Sequence, residues 1–515
     1  MGSITVQLMF ITILSKLSGF LRESIFAALY GAGPVKDIFV TSTTIASMAF
    51  GFLFVSLESC FIPIYNKVRK EKGREQADLL TANITNVIIL LVTGIILFCF
   101  LLMKPIVSLV AAGFQGQQFE EAVKFSRIVI FELYFWASFG FMVPYLNIYG
   151  NFRVPASIGI LMNVILILAL FLSARFNSLL VLALGGVASE GLKFIFFPRA
   201  LRKAGYKHRF FVDFKDPYVK EAVTMAIPVM ISILVNDISV IIDQSMASYL
   251  MPVGGVSTIN YANMVNQIIY GVVIVSIMTA TYPRMSSLAQ EGKMDKLKKL
   301  TLRSINIGLI LVIPAAIGLM FFARPVISLF FERKAFDAES ARLTAQILFC
   351  YAPGLIALVF TSIFNRLFYA LSDTKSPVKI AGVQVGVAVI LNFILSRFLG
   401  LMGLAIATTV GNYIGVLLLY KSLRGKIGSL DFRANAISFL KIMGISLVMG
   451  FIAHWAYGVL PFSGNLKLLV SVIIGALTYT GLVLVSGIPE VAYLVDSLKK
   501  KLNKKKGKSS TTPLP

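Results

Sequence analysis

The sequence predicts an all-α integral membrane protein of about fourteen transmembrane helices, built as two six-helix lobes of parallel topology plus two C-terminal helices. Three observations predict it. Of 515 residues, 57% are hydrophobic and only 14% charged, against roughly 25% charged in an ordinary soluble chain. The apolar excess is gathered into runs such as 87–102, 158–172, 305–322 and 466–485, close to the roughly 20 residues that cross a hydrocarbon core as helix. In lipid the backbone must satisfy its own hydrogen bonds, so these runs are helices. The second observation is an alternation of charge between successive loops, and the third is an internal repeat.

Taken in order, hydropathy and helix breakers predict spans at 4–31, 36–66, 79–103, 120–148, 155–174, 178–200, 219–249, 256–286, 302–322, 340–370, 377–397, 401–422, 436–459 and 466–487. Basic residues crowd the loop after the second span (Lys67, Arg69, Lys70, Lys72, Arg74). They crowd it again after the sixth (Arg199, Arg202, Lys203, Lys207, Arg209) and after the eighth (Lys293, Lys296, Lys298, Lys299). Loops of the other parity, such as 250–255, are nearly uncharged, except 324–342, whose charges are of mixed sign, so the positive-inside rule places both termini in the cytoplasm. Pro63 and Pro283, Pro105 and Pro325, and Tyr149 and Tyr369 each stand 220 residues apart in similar contexts. A constant offset means two homologous bundles, and six crossings return the chain to its starting side, hence parallel lobes with a site near the midplane. The expected division is 1–210, 211–425, a final helix pair at 426–490 and a basic cytoplasmic tail at 491–515.

The net charge of +24 sits mostly between spans, where it sets topology and meets anionic lipid headgroups rather than nucleic acid. Cys60, Cys99 and Cys350 fall inside spans as small hydrophobes, and His208 and His454 have no companion ligands. The first apolar run continues into a charged helix, so no cleavable signal peptide is expected. There is no P-loop, HExxH or GxSxG, which argues against an enzyme and against ATP coupling within the chain, and points to no cofactor. Sodium, protons or the membrane potential remain as driving forces.

Ionisable groups inside hydrocarbon are costly, so they face each other or a watery cavity. The first span carries Lys16, Arg22 and Glu23. They read either as an Arg22–Glu23 neutralisation with a snorkelling Lys16, or as a cationic wall for phosphate, for which arginine offers a planar fork and lysine a point charge. The second span opens with Asp37, which a helix dipole would favour in any case, and carries Glu58, read as a lobe-internal ion pair. The seventh carries Asp237 and Asp243 with no Lys or Arg between Lys220 and Arg284. A bound cation or a proton would compensate them. Asn260, Asn263, Asn266 and Gln267 recur at helical spacing, as interhelical glue or as cavity lining. Asn392, Ser396, Thr408, Thr409 and Asn412 offer neutral oxygens to a hard cation.

Several blocks together resemble a known family. SKLSGFLRESIFAALYGAGPVKDIFV is similar to the first-helix signature of the MurJ (MviN) lipid II flippases. IPAAIGLMFFARPVISLFFERKAF, TAQILFCYAPGLIALVF and NRLFYALSDTKSPV resemble further family blocks in the same order. The resemblance implies the fold of the multidrug/oligosaccharidyl-lipid/polysaccharide exporter superfamily, with two lobes around a V-shaped cavity and two extra helices forming a lipid-tail groove. It implies a pyrophosphate-holding role for Arg22, and it matches Asp37 and Arg366 to family positions. Asp237, Asn392, Thr408 and Asn412 fall near the sodium site of some members. Lys16 replaces a usual arginine, Ala49 and Phe50 a usual arginine pair, Asn263 and Met264 an acid–arginine pair, and Ser396 a sodium-binding aspartate.

The resulting expectation is a flippase of the bacterial cytoplasmic membrane that moves lipid II, or a related undecaprenyl-pyrophosphate glycan, outward by alternating access. Lys16 and Arg22 would hold pyrophosphate, Asp37 and Arg366 are further substrate-binding candidates, and Asn260 and Asn263 would contact sugar or peptide. Anionic lipids, and cell-wall synthesis proteins as a further class, are the expected partners. The rival readings are a flippase for another polyprenyl-linked polysaccharide, a cation-coupled drug exporter, and a non-transporting scaffold for cell-wall enzymes.

Overall fold

The structure, a computed structural model, describes residues 2–492, with the side chains of 2–6, 8–9, 57–59, 228, 232, 236 and 433–435 left aside. Glu58 and the basic tail therefore lie outside the described residues. The elements in order are α1 (Gly2–Tyr30), α2 (Pro34–Leu101), α3 (Met103–Val110), α4 (Gly116–Val129), α5 (Glu132–Phe139), α6 (Met142–Ile148), α7 (Arg153–Phe176), α8 (Leu179–Gly191), α9 (Lys193–Lys203) and α10 (Pro217–Leu250). Then come α11 (Gly255–Ile269), a π-helical turn (Tyr270–Ile274), α12 (Val275–Gln290), α13 (Met294–Phe331), α14 (Ala338–Tyr351), α15 (Gly354–Ala370), α16 (Lys375–Leu399), α17 (Leu401–Ile427), α18 (Phe432–Val459) and α19 (Gly464–Val485). The described residues hold no strand.

Among the described residues eleven helices are long and apolar enough to cross a membrane, and the pair α14–α15, bent by 44°, supplies a twelfth. Helix α2 contains two crossings separated at Gly73, whose φ of 83° interrupts the helix. With α1 as the first, the crossings reach the fourteen that hydropathy predicts, and the chain is a multi-pass membrane protein. The repeat is visible in the backbone. Leu102 (φ −96°, ψ 19°) and Phe322 (φ −113°, ψ 19°) break their helices 220 residues apart. Pro105 and Pro325 follow each break by three residues, and a proline without an N–H cannot bond back across it.

The chain packs as two compact units: Met1–Asn260 with Phe330–Leu343 and Asn392–Leu404, and Tyr261–Leu329 with Thr344–Leu391 and everything from Ala405 onward. In the first, α1 lies along α7 and α10 along α2, around a core that includes Phe26, Tyr65, Tyr145 and Phe197, all essentially unexposed. Glycines set its closest approaches. A Cβ on Gly113 would stand 1.9 Å from the Ser248 carbonyl oxygen, and one on Gly31 would stand 2.3 Å from that of Ala335. In the second unit α12 packs on α15, and α18 on α19, where Gly475 lets the helices meet at Ala453. The Tyr479 hydroxyl donates to the Ile310 carbonyl at 2.6 Å and Asn306 to Glu490 at 2.7 Å, tying the last helix to α13.

Candidate functional site

The site begins at the contact of α1 with α7. Ser15, Ser18 and Gly19 share one face of α1, and on α7 a Cβ added at Gly159 would stand 2.6 Å from the Ser15 hydroxyl. Small residues let the two backbones approach closely. Into this contact α7 places Asn163, which donates to the Ser18 hydroxyl at 2.9 Å and accepts from Arg22 Nη1 at 2.9 Å. Arg22 also donates to Glu23 Oε1 from Nη2 (2.7 Å) and Nε (3.2 Å). Lys36, 1% exposed, donates to Glu23 Oε2 at 2.5 Å and sits 4.5 Å from the centroid of the Phe26 ring. One buried carboxylate thus holds two cations. The Arg22 side chain keeps 28% of its surface exposed, whereas that of Lys36 is sealed.

The exposed side of Arg22 faces an open cavity of about 540 Å³ lined by residues of the first unit. Thr43, Thr44 and Ser47 of α2 line one wall, Asn163 of α7 a second, and Glu132 and Trp136 of α5 with Ser189 and Glu190 of α8 the rest. The cavity is amphoteric, with a guanidinium at one side and two carboxyls at another. Glu190 is ion-paired with Lys193.

Asp37 does not line this cavity. It is wholly buried, and its carboxylate accepts the backbone N–H of Gly254 at 2.5 Å and of Ser257 at 2.7 Å. It fastens the start of α2 to the first turn of α11 by charge-assisted bonds. A second fastening lies nearby in the first unit. Ser24 donates to the Phe330 carbonyl at 2.7 Å and accepts from Arg333 at 2.8 Å, while the Ala335 amide donates to the Ala28 carbonyl at 3.2 Å.

Comparison with known proteins decides the family. The sequence matches the family described as lipid II flippase MurJ over residues 26–473. The chain belongs to the MurJ family. It is 30% identical to a probable lipid II flippase MurJ of Rhizobium meliloti over 423 residues, covering 80% of this chain and 78% of that one. It is 27% identical to the lipid II flippase MurJ of Burkholderia cenocepacia, covering 86% and 88%. Among solved structures, a MurJ in an inward closed conformation superposes with a TM-score of 0.80 at 23% identity, covering 93% of this chain and 98% of that one. An inward-facing multidrug transporter of the MATE family does so at 0.67 and 17%, covering 81% and 95%. Both superpositions establish the fold.

Of the other residues selected from sequence, Lys16 is exposed and has no hydrogen bond or ion pair among the described residues. Arg366 is exposed, with its guanidinium 5.2 Å from the centroid of the Tyr282 ring. On α11, Asn260 is half-buried and Asn263 and Gln267 are exposed, but Asn266 is buried. Successive three-residue steps drift around a 3.6-residue helix, which turns the third asparagine off the shared face.

The cation candidates divide. Asp243 accepts from the Asn392 amide at 2.6 Å, and the Asn392 carbonyl oxygen is buried without a hydrogen bond. A carboxylate beside an orphaned amide oxygen offers the oxygen ligands that a hard cation takes. Ser396 is buried on the same helix as Asn392, and Asp237 is half-buried without a hydrogen-bond partner among the described residues. Thr408 is half-buried, Asn412 accepts from Gln384 at 2.8 Å, and Thr409 donates to the Cys350 carbonyl at 2.9 Å. Among the described residues no three His, Cys, Asp or Glu side chains gather as a metal cluster. Sequence reasoning missed Lys36, Asn163 and Glu132. Glu132 carries a legible signal, an acid inside the apolar run IVIFELYFW. Asn163 carries none.

Proposed function

We propose that this chain is a lipid II flippase of the bacterial cytoplasmic membrane, moving undecaprenyl-pyrophosphate-linked cargo from the inner to the outer leaflet by alternating access, with both termini in the cytoplasm. The observation that carries the reading is the family match through residues 26–473. The partly exposed Arg22 beside a 540 Å³ cavity supports it physically, because a pyrophosphate cannot enter bare hydrocarbon without a cation to receive it. Arg22 is pre-oriented by Glu23 and Asn163, and its bond to Asn163 is the one a phosphate oxygen would replace. Within the first unit, Lys16 supplies a further exposed cation and Asn260 an amide for sugar or peptide. Asp243 and Asn392, with Asp237 and Ser396 of the same unit, form the proposed cation site through which a sodium gradient would drive the cycle. The final helix pair α18–α19 would take the lipid tail, and the basic loops and tail anionic headgroups.

The test is externally accessible lipid II in a bacterium whose own flippase is switched off. Wild type should restore it, and Arg22→Ala at equal expression should not. An Arg22→Ala chain that restores lipid II fully removes Arg22 from the substrate site.

A further inference from the structure

The cavity beside Arg22 has a second charged wall that pyrophosphate binding does not use. Glu132 opens α5 and is 7% exposed, yet among the described residues it has no hydrogen bond or ion pair. Its carboxyl lines the cavity and lies against Gly186 of α8, where an added Cβ would stand 2.9 Å from Oε1. The charged groups that face it from neighbouring helices are already engaged. Lys193 of α9 is ion-paired with Glu190 of α8, and Arg22 of α1 is held by Glu23 and Asn163. The α2 wall offers only Phe39, Thr43, Thr44 and Ser47. An isolated carboxylate is costly in such a place, and a second carboxylate nearby raises the cost.

We propose that Glu132 is an exchangeable proton site in the first unit, protonated in this conformation and discharged through the cavity. On discharge the carboxyl O–H bond breaks heterolytically, the electron pair stays on the carboxylate, and the proton passes to water. The freed carboxylate then competes with Glu190 for Lys193, so gain and loss of the proton rearrange the cavity wall. Only the use of this proton in coupling rests on the flippase reading. The site itself does not.

Infrared difference spectroscopy of the full chain in lipid nanodiscs at neutral pH tests the proposal. The wild type should show the C=O stretch of a protonated carboxyl that is absent from Glu132→Gln and retained in Glu190→Gln. Gly186→Ala, which crowds the carboxyl without removing it, should shift that band. Identical spectra for wild type and Glu132→Gln, or an unmoved band in Gly186→Ala, overturn the assignment. A band that appears only when choline replaces sodium also overturns it, because the compensating charge is then a metal ion. Lipid II flipping measured on the same preparation separates the two readings, since a wild type with the band but no flipping contradicts the transport function alone.

Discussion

Two membrane-buried acids of the first unit are treated in opposite ways. Glu23 lies between Arg22 and Lys36 and receives charge from both. Among the described residues, Asp243 receives only the neutral amide of Asn392, whose own oxygen is left without a partner. The first arrangement carries surplus positive charge and is locked by the fold. The second carries surplus negative charge and lacks a fixed counter-ion. The difference separates the two proposed roles: Arg22 is held ready for an anion by its own neighbours, whereas Asp243 is met by a neutral amide, the setting proposed above for a cation. In a low-dielectric interior a compensated charge is structural and an uncompensated one must acquire its partner from outside.

Breaking the locked arrangement should have the largest effect. Glu23→Ala removes the buried carboxylate shared by Arg22 and Lys36, and thermal unfolding in detergent should register a loss of about 3–5 kcal/mol. A Glu23→Ala protein as stable as wild type would contradict a structural role for this carboxylate. Asp37→Ala strips the carboxylate from the Gly254 and Ser257 amides, and the same assay should show about 2 kcal/mol lost. Cysteines placed around residues 254–257 should also label faster. The second arrangement is sharpened by sodium. At ten times its dissociation constant, sodium should stabilise wild type by about 1.4 kcal/mol, and Asp243→Asn should abolish the increment.

The smallest effect calibrates a compensated acid outside the membrane. Asp373, between α15 and α16, is partly desolvated, which by itself raises its carboxyl. Hydrogen bonds from Ser376 and the Lys426 ion pair outweigh this and lower it from 3.8 to about 2. A carboxyl depressed by folding adds stability above its unfolded value and loses it as pH falls through the folded one. The stability difference between wild type and Asp373→Asn, under about 1 kcal/mol for such a pair, should therefore be present at pH 7. It should fade as pH falls from about 4 toward about 2.

Much of the fold was legible because lipid imposes one rule on every crossing, and the run lengths obey it. The break at Gly73 falls between the spans predicted at 36–66 and 79–103, and the 220-residue offset recurs in the breaks at Leu102 and Phe322. At the site, the cost of charge in hydrocarbon marked Lys16, Arg22, Asp37 and Asp243. Their partners stayed hidden because pairings such as Arg22 with Asn163 and Asp37 with Ser257 are tertiary, 141 and 220 residues apart in sequence. Asp37 shows the limit well. The sequence marks it as an acid at a helix start, and only the fold reveals that it secures the start of a different helix.

The most direct test of the central claim uses purified protein in liposomes carrying lipid II labelled in one leaflet, with translocation followed by quenching of the label from outside. Wild type should move lipid II, and Arg22→Gln should slow it at least about tenfold, the loss of roughly one charge-assisted contact of 1.4 kcal/mol or more. Equal rates for the two proteins, with both folded and correctly inserted, would contradict the assignment of Arg22 as the anion receptor of a flippase.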